Sequence, residues 1–140
     1  MQAFRYAQLG FEVTATDVSA TSIKKAGRKA EEENVGPDKL VFVTDNILRT
    51  VLQGTFDVIS DRGCFTLLQG WMRDDYCSNI YRLLNPNGLF LIKIDAKKKA
   101  VADTIEAHFR IEQTWESHYS GEEKNGPHAR FFILRPLATL

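Results

Sequence analysis

Apolar positions along this chain alternate between helical and strand spacing. Phe4 and Ala7 within Gln2–Leu9 make about two helical turns, stopped by Gly10 as a C-terminal cap. The apolar, β-branched run Phe11–Val18 predicts a strand. Ser19 then caps a helix to about Asn34, with Ile23, Ala26 and Ala30 on its inner face and Gly36-Pro37 ending it. Leu40–Thr44 and Phe56–Ser60 are two further strands. Met72, Tyr76, Ile80 and Leu83 recur at helical spacing between Trp71 and Leu84, and Asn85-Pro86-Asn87-Gly88 marks a sharp turn. Leu89–Ile94 is the fourth strand, and Val101, Ile105 and Phe109 define another helix. Arg110–Ser117 and Arg130–Leu134, joined by the polar segment SGEEKNGPH, predict a hairpin. The fold class is therefore α/β: a mostly parallel sheet with an antiparallel C-terminal hairpin, in one domain spanning 1–140.

Composition narrows the function classes. The chain has 140 residues and a formal net charge of +0, which supplies no general attraction to nucleic acid or anionic lipid. No apolar run approaches the roughly 18 residues of a membrane span. The two cysteines, Cys64 and Cys77, make no disulfide framework, so a reducing, cytoplasmic setting is expected.

The chemistry-bearing pattern is a set of acids at strand ends. Asp17 follows FEVTAT, Asp45 follows LVFVT and Asp61 follows FDVIS. In open α/β sheets, ligands lie beyond the carboxyl ends of the strands, and an acid there accepts hydrogen bonds from ribose hydroxyls. A single such Asp is as readily a turn or helix-capping residue. Three in succession favour a ligand-binding edge.

With FEVTATDVS, VFVTDNI, FDVISDRGCF and LLNPNGLFLI in this order, the chain resembles the class I S-adenosylmethionine-dependent methyltransferases. Asp61-Arg62-Gly63 is similar to the thiopurine and tellurite-resistance branch, which acts on small molecules. The resemblance spans residues 1–136. It implies that Asp17 holds the ribose hydroxyls while Val18 packs on adenine. Asp45 would accept from the adenine amino group, with Asn46 and Ile47 covering the ring. Asp61 would flank the methionine portion of the cofactor. Arg62 would lie at the substrate mouth, with Phe65 and Trp71 as further acceptor-lining candidates. No catalytic base is implied, because an activated sulfonium mainly requires its acceptor to be positioned and water excluded.

The family places a first strand and a glycine-rich loop ahead of the helix that here begins near Met1, and this sequence reads as an N-terminally truncated version. Only sixteen residues precede Asp17, and Gly10 is the sole glycine among them. The strand so lacking would sit between Phe11–Val18 and Phe56–Ser60, leaving two apolar edges unpaired. Those strands would pair directly, or two copies would meet through their edges, or the chain would be part of a longer protein. Two functions follow as alternatives. One is methyl transfer to a small acceptor, lost where the glycine loop is absent. The other is a non-catalytic homodimeric domain with the old crevice closed or used as an interface. A dehydrogenase fragment is disfavoured by Asp45-Asn46 and the terminal hairpin.

Other candidates carry less. His108, His118 and His128 have no zinc-like spacing, even with Glu122 and Glu123 nearby, so no metal site is expected. Cys64 and Cys77 read as buried, unreactive thiols. Lys97-Lys98-Lys99 reads as a solvated face, and Trp71 and Trp115 as core or rim aromatics.

Overall fold

The computed structural model describes residues 2–95, 99–118 and 128–138. The segment SGEEKNGPH, with Glu122 and Glu123, and Lys97-Lys98 fall outside those residues or outside their described side chains. The chain divides into two compact units, Met1–Val51 and Leu52–Leu140. In place of one expected sheet there are two: a two-stranded parallel sheet in the first unit and a four-stranded sheet in the second. No described strand pairs with the remaining edge of Val13–Asp17 or of Phe56–Asp61.

The first unit runs α1 (Gln2–Gln8), β1 (Val13–Asp17), α2 (Ala20–Glu32) and β2 (Leu40–Thr44). Both helices end in the same device, in which two backbone N–H groups reach back to the last free carbonyls. At α1, Gly10 N–H donates to Ala7 O and Phe11 N–H to Tyr6 O, at 3.0 and 3.1 Å. Gly10 adopts the required φ of +96°, and the Phe11 ring meets Tyr6 edge-on at 6.1 Å. At α2 the left-handed residue is Asn34, with φ of +55°, so the helix stops at Glu32, close to the expected end near Asn34, and its terminator is Asn34 itself, ahead of Gly36-Pro37. Asn is the non-glycine residue that best tolerates this conformation. Ser19 caps the start of α2 by accepting from Ser22 N–H at 3.2 Å. Phe4, Ala7, Ala30 and Leu40 form the core, with Val13, Ala15 and Phe42 packed against it. Small alanines on both helices allow close approach to the two-stranded sheet. The register is strict and parallel from Val13↔Leu40 to Asp17↔Thr44.

The second unit contains β3 (Phe56–Asp61), α3 (Cys64–Leu67), α4 (Trp71–Leu83), β4 (Leu84–Asp95), α5 (Lys99–Glu106), β5 (Phe109–His118) and β6 (His128–Pro136). Strand order is β3-β4-β6-β5, with β3 and β4 parallel and the β5–β6 hairpin antiparallel. The core is a run of aromatic rings. Phe65 to Tyr76 is 5.0 Å, Tyr76 to Phe90 6.3 Å, and Phe90 to Phe109 5.2 Å between centroids. Two expectations change here. Phe109 opens β5 and does not extend α5. It reaches the core all the same, because it stands at the junction of helix and strand. The α3 turn was hidden in the sequence by its length of four residues.

Asn85–Gly88 is absorbed into β4 as an outward loop, because Phe56 pairs with Leu84 while Val58 pairs with Leu89. Asn85 Nδ2 donates to Asp57 Oδ1 at 3.2 Å, and Arg135 Nη1 donates to Asn87 O at 3.0 Å, pinning the loop to β3 and β6. Gly88 is dictated by space: a Cβ there would lie 2.9 Å from Asn85 O and 3.0 Å from Asp57 O. No helix among the described residues is long and apolar enough to cross a membrane.

Candidate functional site

Unit one brings Asp17, Val18, Asp45, Asn46 and Ile47 to one edge of its sheet. The register sets Asp17 abreast of Thr44, and Asp45 N–H donates to Asp17 O at 3.0 Å. Both acids therefore stand at the carboxyl end of adjacent parallel strands, and Val18 is exposed beside them. Asp17 Oδ1 accepts from Ser19 N–H at 2.8 Å, which fixes the turn into α2. Asn46 caps the 3-10 turn Ile47–Arg49 by accepting from Leu48 N–H at 3.0 Å.

Asp45 differs from its neighbours. It is only 8% exposed. Its Oδ1 accepts from Val51 N–H at 3.0 Å, closing the loop over the 3-10 turn. Its Oδ2 is buried and has no hydrogen-bond partner among the described residues. A buried carboxylate oxygen without a donor costs about 1–3 kcal/mol or more. Buried polar atoms in folded proteins are nearly always paired, so this oxygen sets Asp45 apart from Asp17 and Asp61.

Unit two treats its acid otherwise. Asp61 Oδ1 accepts from Gly63 and Cys64 N–H, both at 2.8 Å, and Oδ2 from Phe65 N–H at 2.9 Å and Tyr76 Oη at 2.5 Å. Gly63, at the α3 N-cap, has no side chain to offer, and Asp61 supplies the cap from two residues earlier. Burial, and after it the Asp61 carboxylate, raises the Tyr76 pKa well above the ordinary phenol range, so Tyr76 remains a donor. Both Asp61 oxygens are thus committed within the protein.

Of the acceptor candidates, Arg62 is exposed and Trp71 is 66% exposed. Phe65 is corrected: it is fully buried against Tyr76, because the α3 turn folds it inward. Leu67, missed in the sequence, is 82% exposed four residues before Trp71. The thiols also separate. Cys77 is buried, and desolvation followed by Asp74 raises its pKa to about 12. Cys64 is exposed, contrary to expectation, because it begins a four-residue turn whose next residue faces inward. No group of three or more His, Cys, Asp or Glu among the described residues is placed to hold a metal ion.

Residues 2–88 match the family model described as methyltransferase domain. The chain belongs to this family. Comparison with curated protein sequences returns no match. Among solved structures, the PH0226 protein of Pyrococcus horikoshii is similar at 17% identity and TM-score 0.81, over 97% of this chain and 76% of that one. The TehB-like SAM-dependent methyltransferase of Corynebacterium glutamicum is similar at 18% identity and TM-score 0.76, over 95% and 72%. The 1,6-didemethyltoxoflavin-N1-methyltransferase of Burkholderia thailandensis, with bound 1,6-didemethyltoxoflavin and S-adenosylhomocysteine, is similar at 19% identity and TM-score 0.80, over 96% and 65%. The methyltransferase domain thus has the Rossmann-like α/β fold of the class I enzymes, with parallel pairing followed by an antiparallel hairpin.

Proposed function

We propose that this methyltransferase domain binds the nucleoside end of S-adenosylmethionine along the β1–β2 edge and serves methyl transfer to a small acceptor. The unpartnered, buried Oδ2 of Asp45 carries this reading. It fits an amino-group donor such as that of adenine, as the family resemblance implies. Asp17, whose Oδ1 alone is engaged, has its second oxygen for the ribose hydroxyls. Val18 and Ile47 supply apolar cover beside the half-exposed edge, and Asn46 holds the turn that presents them. Asp61 acts here as a positioning residue, because its capping bonds set the direction in which Arg62 and Gly63 leave β3. The bound cofactor supplies the activated methyl group. The chain's task is to orient the acceptor and exclude water. We place the acceptor in the small-molecule class of the thiopurine and tellurite-resistance branch, on Asp61-Arg62-Gly63 and in keeping with the TehB-like neighbour. The setting is cytoplasmic.

Asp45→Asn tests the cofactor reading with little disturbance. The amide oxygen can still accept from Val51 N–H, while the orphan acceptor becomes an N–H donor facing a donor. Calorimetric titration with S-adenosylhomocysteine should show binding to the wild type and at least tenfold weaker binding to the variant, about 1.4 kcal/mol. Equal affinities, or no heat with the wild type at millimolar ligand, would refute the assignment.

A second reading rests on a separate observation. β1 pairs only with β2 and β3 only with β4, so each leaves one parallel edge unpaired among the described strands. Such edges template association with another chain. In this alternative the domain is a non-catalytic homodimer joined through strand edges. Sedimentation equilibrium should then give a dimer across micromolar concentrations, and a clean monomer that binds S-adenosylhomocysteine rejects it.

A further inference from the structure

The four-stranded sheet of the second unit ends on β5, whose outer edge has no partner among the described strands. Natural edges are commonly blocked by charges or by a bulge. Both devices are present in β5, and both lie at its start. Ile111 pairs with Leu134 and Gln113 with Ile133, so Glu112 is the extra residue of a bulge. Its carboxylate accepts from Arg110 at 3.2 Å and from Arg135 at 2.6 Å. Beyond the bulge the pairing is regular from Gln113 to His118, with neither lysine nor proline. Residues 113–116 are exposed on both faces of the strand.

An identical strand added antiparallel about a twofold axis pairs residues symmetrically about one centre. Opposed side chains then share a face, and the centre decides which ones meet. A centre at Gln113 would place the bulge inside the paired stretch. At Thr114 it would bring Glu112 against the partner's Glu116, and at Glu116 it would oppose a carboxylate to itself. At Trp115 these conflicts vanish: Trp115 meets its own copy and Thr114 meets the partner's Glu116. Like charges directly opposed destabilise a sheet, whereas aromatic pairs stabilise it.

Both faces fit this centre. On one, Trp115 stacks on Phe131 with centroids 4.8 Å apart and planes 17° from parallel, yet remains 44% exposed. The partner's Trp115 covers its open side and extends the pair to a row of four rings. On the other face, Arg130 lies opposite Glu116 at 3.9 Å and donates to Thr114 Oγ1 at 3.5 Å. Its guanidinium therefore spans the row in which the partner's Glu116 arrives, with Cβ atoms of opposed residues about 4.5–5.5 Å apart. The strand offers apolar and charge complementarity to a second copy of itself.

We propose that residues 113–117 of β5 form the interface of a homodimer, in which two four-stranded sheets join antiparallel about Trp115 into one of eight strands. This pairing uses neither β1 nor β3 and needs no bound cofactor, so it stands or falls apart from both readings above. The interface is small, of the class of weak and transient contacts, so dimers should form at about 0.1–1 mM.

Sedimentation equilibrium of the full chain, from about 10 μM to about 1 mM, measures the association. Trp115→Glu sets two carboxylates at the centre and should weaken it at least tenfold, about 1.4 kcal/mol. Leu67→Glu, on exposed α3, should leave it unchanged. Glu116→Arg should also weaken it, and adding Arg130→Glu should restore it, which keeps the test open if Trp115→Glu does not fold. Register is read by oxidising an equimolar mixture of Thr114→Cys and Glu116→Cys chains in a Cys64→Ser background. The mixture should cross-link at least about tenfold faster than either chain alone, since only opposed positions lie within disulfide reach. A monomer at every concentration, or a mixture that cross-links no faster, would overturn the interface. A dimer that survives Trp115→Glu also overturns it and belongs to the β1 or β3 edge.

Discussion

Asp61→Ala should destabilise the second unit by about 2–4 kcal/mol, the sum of a lost helix cap and a buried hydroxyl left without its acceptor. Four donors converge on this carboxylate: three backbone N–H groups at the start of α3 and the Tyr76 hydroxyl. Its removal leaves the first turn of α3 uncapped and a buried phenol without an acceptor. Urea unfolding followed by circular dichroism measures the loss. Tyr76→Phe should cost about 1–3 kcal/mol, since only one bond is lost and the carboxylate keeps its backbone donors. The double variant should cost less than the sum, because the two residues share a bond. An Asp61→Ala loss below 1 kcal/mol would show that the cap does not hold the turn.

Phe90→Ala is expected to be as damaging, by a different route. Phe90 lies in the middle of β4, fully buried, with rings of Tyr76 and Phe109 on either side at 6.3 and 5.2 Å. Truncation removes the central ring of the chain that joins α4 to the β5 end of the hairpin. Phe→Ala changes in such cores cost about 3–5 kcal/mol, combining lost transfer energy with the cavity left behind. Phe90→Leu, which refills most of that space, should recover more than half of the loss. The midpoint of urea unfolding decides this, and a Phe90→Ala midpoint equal to wild type would mean that the core lies elsewhere.

Much of this architecture was legible in the chain. Leu40–Thr44 occurs with the expected ends, and β3 and α4 differ by one residue each, because apolar periodicity there agrees with the burial. Gly10 was readable as a helix cap because a left-handed residue was needed before an apolar strand. The α2 end near Asn34 is legible too, although its left-handed terminator is Asn34 and not Gly36-Pro37, asparagine being a weaker signal for that conformation. The two-sheet arrangement was less accessible, because strand patterns reveal which segments are extended but not which edges find partners.

The candidate site was legible by residue and not by role. Asp17, Asp45 and Asp61 look alike in sequence, each an acid closing an apolar run. Their difference lies in where donors fall: a turn at Asp17, one loop N–H at Asp45, and four internal donors at Asp61. The burial of Phe65 and the exposure of Leu67 are not legible either, since a turn of four residues carries too little periodicity to show which side faces inward. The burial of Lys93 does not show in LFLIKI, where its neighbours set the strand and its own charge reads as an ordinary interruption.

The unpartnered oxygen of Asp45 has a consequence for how this gene changes over time. While a ligand is used, selection must retain a carboxylate whose second oxygen is a cost to the empty protein, although its first holds the loop through Val51. Once that use lapses, replacement of Asp45 by asparagine, which keeps the bond from Val51, becomes the downhill path, and Asp61 stays under constraint for folding alone. Lineages that have ceased methyl transfer should therefore be recognisable by an eroded Asp45 beside an intact Asp61.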